Sequence, residues 1–184
     1  MSALPYKYEE YKTFVMSQRE GVCEVFKFFL DKEDFDIVIE IGTWFGGFAY
    51  MLSDLLGKKF HTYDISDNTL NGVRENILSN NSHIHIEDVF KSYSIINLIK
   101  SDGKTLLLCD GGNKTEEIKV FSAMLKPNDV IMAHDFFVSK ETHNPNYWRS
   151  CEVTASDFNY NYLKEYKEYT DMFIPYVWGI RIKI

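Results

Sequence analysis

The chain has 184 residues, enough for one domain with a real core, and 45% hydrophobic with 26% charged residues describe a globular, water-facing class. Twenty basic against 27 acidic side chains leave a net charge of −7 with no basic stripe, which disfavours a grip on nucleic-acid phosphates. Cys23, Cys109 and Cys151 are too far apart for a zinc motif or a disulfide framework and read as free thiols of a reducing compartment.

In chain order, the polar start "MSALPYKYEEYK" is unlike an export signal. No apolar run approaches the roughly 18 residues that span a bilayer, so the expected place is the cytoplasm and no membrane partner is expected. Residues 1–34 read as a helical segment that packs on or caps the core. Its pieces are "YKYEEYKTFVMSQ" and "EGVCEVFKFFL", where Val22, Val25, Phe26 and Phe29 recur at helical spacing. The aromatic stretch "PYKYEEYKTFVM" is a candidate lid or contact of a homo-oligomer. "IVIEIG" is short and β-branched, a buried strand, and "FAYMLSDLL" is a helix stopped near Gly57. "KFHTYDI" is the second strand; "DNTLNGVRENILS" is a helix with an Asp or Asn cap; "HIHIEDVF" is the third strand. "YSIINLIKSD" is a short helix, "TLLLCDGG" the fourth strand and "KTEEIKVFSAML" an amphipathic helix. "DVIMAHDFF" is the fifth strand, "EVTASDFNYNYLKEYKEY" a helix, and "YVWGIRIKI" a closing strand.

This alternation predicts one α/β domain over residues 1–184. The expected architecture is Rossmann-like and doubly wound: a mostly parallel sheet, helices on both faces, and an antiparallel C-terminal strand. Ligands of such sheets bind beyond the carboxyl ends of the strands. There the sequence places Glu40, Asp64, Asp88, Asp110 and Asp135, an acid at the end of each of the first five predicted strands. That much negative charge on one rim is unfavourable unless a cationic or donor-rich ligand uses it. Gly42, Gly46 and Gly47 supply a sharp turn and a helix start whose amides point outward. Their spacing, E-x-G-x-x-x-G-G, is not the dinucleotide G-x-G-x-x-G, and this argues against a nicotinamide-dependent oxidoreductase. Asp64 is placed to accept both hydroxyls of a ribose, and Asp88 to accept from an adenine amine.

"VIEIGTWFGG", "TYDIS" and "IEDVF" together resemble the first three motifs of class I S-adenosylmethionine-dependent methyltransferases. The form E-I-G-T-x-x-G-G is similar to the subgroup of small-molecule and sugar O-methyltransferases and cephalosporin-hydroxylase-like proteins. The resemblance covers roughly residues 35–137 and implies S-adenosylmethionine as cofactor. It implies that Glu40, Gly42, Thr43 and Trp44, with Gly46 beside them, line the methionine end. It further implies that Asp64 takes the ribose, Ile65 packs on the adenine, and Asp88 and Val89 meet the adenine edge. Asp110 would border cofactor and acceptor alike.

For the acceptor, "LLLCDGGNK" carries neither the Asp/Asn-Pro-Pro-aromatic motif of amino-methylating DNA enzymes nor a Pro-Cys pair, so a nucleic-acid substrate is disfavoured. A small-molecule hydroxyl is the expected acceptor. The resemblance leaves two routes open. In one, Asp110 and Asp135 hold Mg²⁺, although Phe136 stands where the family's Asn would be. In the other, Asp110 or His134 takes the proton directly, although strand alternation would turn His134 away from the face that Asp135 serves. Asn113 stands where the subgroup more usually has His. His61, His83 and His85 make no ligand set and read as structural, while His143, Tyr147, Trp148 and Arg149 are candidates for an acceptor wall. A cofactor-binding protein of the same fold without methyl transfer is the alternative.

Overall fold

The computed structural model describes residues 8–137, 153–154 and 163–184. The described chain opens with a hairpin, β1 (Tyr8–Tyr11) and β2 (Phe14–Arg19), where a helix is expected. Its turn residues Lys12 and Thr13 both have positive φ, 45° and 76°, the geometry that matches the twist of paired strands. Period-two burial explains the difference: Met16 and Gln18 point inward while Val15 and Ser17 face out. The helical part of the expected segment is α1 (Val22–Lys32), which buries Val22, Phe26 and Phe29.

The elements β3 (Ile37–Ile41), α2 (Gly47–Leu56), β4 (Phe60–Asp64), α3 (Asn71–Ser79) and β5 (His83–Ile86) follow as the sequence predicts. Helix α3 is capped by Leu70 without a side-chain hydrogen bond, so the expected Asp or Asn cap is not used. Then come α4 (Tyr93–Lys100), β6 (Thr105–Cys109), α5 (Lys114–Ser122) and β7 (Val130–Ala133). The predicted fifth strand breaks at Ala133; Phe136–Phe137 forms a separate short strand β8 that pairs with β9 (Val153–Thr154). "EVTASDFNYNYLKEYKEY" forms no α-helix where it is described: it supplies β9 and β10 (Tyr166–Glu168), residues 163–165 form a turn before β10, and residues 152 and 155–162 lie outside the described ones. The chain closes in β11 (Gly179–Lys183).

The main sheet has seven strands in the order β10-β11-β7-β6-β3-β4-β5. Strands β7, β6, β3, β4 and β5 are parallel, and β11 runs antiparallel to β7, as expected for the closing strand. Strand order reverses between β3 and β6, which makes the gap beyond their ends the switch point where ligands bind. One sheet face buries Val38, Leu106 and Leu108 under α1, α2 and α3, and the other buries Ile39, Leu107 and Ile131 under α4 and α5. Cys109 is buried in β6 and Cys23 partly buried on α1, both free thiols; Cys151 lies outside the described residues.

The hairpin lies on α2. Tyr11 Oη donates to Asp54 at 2.6 Å and the Lys12 ammonium joins the same carboxylate. At Gly47 a Cβ would stand 2.2 Å from the Val15 carbonyl oxygen. Gly47→Ala therefore forces hairpin and helix apart, and we expect it to lower unfolding free energy by about 2 kcal/mol in urea titration. An increase, the usual result of Gly→Ala in a helix, would mean the hairpin does not dock here.

Candidate functional site

Beyond the switch point the strand ends enclose an open cavity of about 840 Å³. Its lining brings together Glu40, Gly42, Thr43, Trp44, Gly46, Asp64, Ile65, Asp88, Val89, Asp110, His134 and Asp135, the cofactor, catalytic and metal candidates of the sequence. The hairpin adds Tyr8, Val15, Met16, Ser17 and Gln18 as a further wall. His143, Tyr147, Trp148 and Arg149 lie outside the described residues. His61, His83 and His85 do not line the cavity; they stack along β4 and β5, with His61 Nδ1 3.1 Å from His85 Nε2.

The glycine turn is shaped by close approach. Gly42 has φ 100°, and a Cβ there would lie 2.4 Å from the Asp110 carbonyl oxygen. Its amide donates to Tyr63 O at 2.7 Å, tying β3 to β4 just where they end. Glu40 is 1% exposed and accepts from the Thr62 hydroxyl at 2.5 Å, while Thr43 and Thr62 hydroxyls lie 2.6 Å apart. Burial lifts the Glu40 carboxyl well above the usual carboxylate range; Asp110 and Asp64 push the same way and the Thr62 bond opposes them.

Asp64 accepts the Trp44 amide at 2.8 Å and the Ser66 amide at 3.0 Å, one on each oxygen. That fixes the carboxylate against the loop and holds Trp44 at φ 51°, with its indole 60% exposed at the mouth. Ile65 is 72% exposed beside it. Asp88 caps the following turn through the Phe90 amide at 3.1 Å and pairs with Lys91 at 2.8 Å. The Lys91 ammonium first, and the Phe90 amide with it, hold the Asp88 carboxyl below its ordinary range.

On the acceptor side, strand alternation fails in an informative way. Asp135 takes φ 52°, so the chain turns and His134 and Asp135 converge instead of diverging. His134 Nδ1 lies 2.9 Å from Asp110 Oδ1 and 3.7 Å from Asp135 Oδ1. The second oxygen of Asp110 accepts from Gln18 Nε2 at 3.0 Å, and Gln18 Oε1 accepts from Trp178 Nε1 at 2.9 Å. The Trp178 ring then packs on His134 with centroids 4.9 Å apart, closing a ring of four side chains. With Asp110 accepting at Nδ1, the free lone pair of His134 is on Nε2, which is buried and has no hydrogen-bond partner among the described residues.

Sequence reasoning missed Gln18, Lys114 and Glu117. Lys114 is 2% exposed, and its ammonium donates to Gly111 O at 2.9 Å and Asp135 Oδ2 at 3.0 Å and stands 3.6 Å from Asp110 Oδ1. One ligand atom each from Asp110, His134 and Asp135 fall within 4.8 Å of one another, the span of a cation site. Mg²⁺, however, favours an octahedron of oxygens, and this set offers an imidazole with a lysine ammonium already seated on both carboxylates. As arranged, these side chains do not fit that ion.

Glu117 is 2% exposed, with one oxygen 3.3 Å from the Asn113 amide and the other buried without a partner among the described residues. Burial pushes its carboxyl up to about 7, with the Lys114 ammonium opposing. Between 4.5 and about 7 the unfolded chain releases a proton that the folded one keeps. Stability should therefore fall as pH rises across that window, by about 3 kcal/mol from this residue, and level off above it. Glu117→Gln is expected to remove that slope, read from urea midpoints below and above the window; an unchanged slope would place the proton elsewhere.

The sequence matches no protein-family model and no curated protein. Solved structures match its fold. CmcI, described as bound to Mg and S-adenosylmethionine, is similar with a TM-score of 0.66 at 11% identity, over 96% of this chain and 76% of that one. A protein from Nostoc punctiforme PCC 73102, provisionally named an O-methyltransferase, gives 0.62 at 10% identity, over 88% of this chain and 55% of that one. A methyltransferase from Geobacter sulfurreducens gives 0.59 at 8% identity, over 89% and 79%. This chain thus has the Rossmann-like fold of those methyltransferases, and spans little more than half of the Nostoc protein.

Proposed function

We propose that the protein is an S-adenosylmethionine-dependent methyltransferase acting on a hydroxyl of a small molecule. The observation that carries this reading is one cavity with two ends: the glycine turn with Asp64, and the Asp110–His134 pair with a free Nε2. The fold shared with CmcI and the two bacterial methyltransferases supports it.

The residues fit the cofactor. Gly42 and Gly46, at φ 100° and 86°, keep the loop low enough for a ligand to lie against backbone. Asp64 retains lone pairs for two ribose hydroxyls, and Ile65 offers an apolar face for a purine. Glu40 and Asp110 suit the two positive charges of the methionine end, and an incoming cation would draw the buried Glu40 toward its ionised form. When bound, S-adenosylmethionine supplies a methyl group on a sulfonium, an electrophile open to in-line attack.

The chain does the rest by position and proton handling. Asp110 holds the imidazole so that Nε2 can accept the hydroxyl proton of the acceptor as its oxygen bonds to the methyl carbon and the carbon–sulfur bond breaks. The products are a methyl ether, S-adenosylhomocysteine and a proton carried by His134. Gln18 and Trp178 keep the Asp110–His134 pair from swinging. The hairpin wall and the aromatic mouth at Trp44 and Phe45 keep water from the reacting atoms. The acidic surface and the lack of a basic stripe favour a small acceptor over a nucleic acid.

Calorimetric titration with S-adenosylhomocysteine tests the reading. A saturable heat in the micromolar range is expected. A chain that gives none at any salt or pH where it is folded is not a methyltransferase of this kind.

A further inference from the structure

The Asp110–His134–Asp135 cluster has the outline of a cation site, and a cation is already in it. Lys114 opens α5 straight after the turn at Gly111 and Gly112, so its side chain folds back over Gly111 and reaches both carboxylates. The head is held by a carbonyl and two carboxylates and is 2% exposed, so it is fixed in place. That ammonium is the group that joins Asp110 to Asp135, and the buried Glu117 lies on the same helix three residues on.

We propose that the Lys114 ammonium is the resident cation of this cluster and stands in for a divalent ion, so that the site is organised without metal. The proposal deepens the methyl-transfer reading and rests on it for its catalytic meaning. Lys114 is a positioning residue: it sits beside Asp110 while one Asp110 oxygen meets His134 and the other meets Gln18. A bound metal would offer open coordination positions to the acceptor; an ammonium aimed at protein acceptors does not. The acceptor hydroxyl then has no metal to bind and lies beside His134, a residue of the cavity lining, and the site has no reason to select a chelating pair of hydroxyls.

The test uses the full chain after treatment with a chelator, with Mn²⁺ as probe, read by electron paramagnetic resonance, and S-adenosylhomocysteine titrated into the same samples. The parent chain should bind no Mn²⁺ up to millimolar concentration and show the same S-adenosylhomocysteine affinity with and without Mg²⁺. Lys114→Met, which keeps the stem and removes the charge, should gain sub-millimolar Mn²⁺ binding that Asp135→Asn in the same background removes. Mn²⁺ bound by the parent chain and lost in its Asp135→Asn variant would overturn the proposal, and this arm holds even if Lys114→Met does not fold. Mn²⁺ bound by neither the parent nor a folded Lys114→Met chain would also overturn it, leaving Lys114 as an ion-pair partner alone. Absence of S-adenosylhomocysteine binding throughout would instead defeat the methyl-transfer reading, with the Mn²⁺ arms still readable.

Discussion

An Asp64→Ala chain binds S-adenosylhomocysteine about 100-fold more weakly than the parent, with its far-ultraviolet circular dichroism unchanged. The magnitude follows from two charge-assisted hydrogen bonds to ribose hydroxyls, each worth about 1.5 kcal/mol or more, against about 1.4 kcal/mol for each factor of ten. The same substitution frees the Trp44 and Ser66 amides, so the loop that borders the cofactor loses its tether as well. Asp64→Asn separates the two effects: its amide oxygen can still accept one backbone amide while the charge is gone, and an intermediate affinity is expected. Equal affinity in parent and Asp64→Ala chains would remove Asp64 from the cofactor site and the ribose assignment with it.

His134→Gln lowers the rate of methyl transfer by roughly a hundred- to ten-thousand-fold, the usual range for removing a general base. Affinity for S-adenosylhomocysteine should stay at the parent level, because the cofactor contacts argued above run through the glycine turn and Asp64. The rate is read by radiolabelled methyl transfer to a panel of hydroxylated acceptors once one is found for the parent chain. Glutamine can still accept the packing against Trp178 and can still face Asp110, but it offers no basic nitrogen. A variant that kept its rate would show that the hydroxyl proton leaves by another route, and the role assigned to the unpartnered Nε2 would fall.

The alternation of the central elements was legible because strands such as "IVIEI" and "TLLLC" are apolar on both faces and short, as parallel strands under two helical layers must be. The cofactor end of the cavity was legible for a related reason: glycines and acids at strand ends are fixed by local backbone demands that show in sequence. The hairpin was not. Its turn, Lys12–Thr13, lacks the Asn-Gly signal of a two-residue turn, and the aromatic residues before it satisfy a helical period as readily as an alternating one. The convergence of His134 and Asp135 depends on one positive φ at a non-glycine residue, which alternation rules cannot foresee. Lys114 at a helix start reads as a solvated charge; only the tertiary turn at Gly111 folds it inward. Gln18 reaches Asp110 across 92 positions of chain, a contact without a local signature.

The four-membered ring around Asp110 also has a consequence for the order in which a newly made chain becomes competent. Gln18 and Trp178 are joined by a hydrogen bond across 160 positions, so the support of Asp110 joins segments far apart in the chain. Contacts of that separation close late, since the loop entropy must be overcome before they contribute. A nascent chain still lacking β11 already holds β3 to β7 and the glycine turn, and so all the elements of the cofactor end. The segment around Trp178 follows β3 to β7 in the chain, and until it is made the Asp110–His134 pair lacks the clasp that Gln18 and Trp178 form. On the proposed reading, the glycine turn and Asp64 can be in place before the Gln18–Trp178 clasp closes on Asp110 and His134.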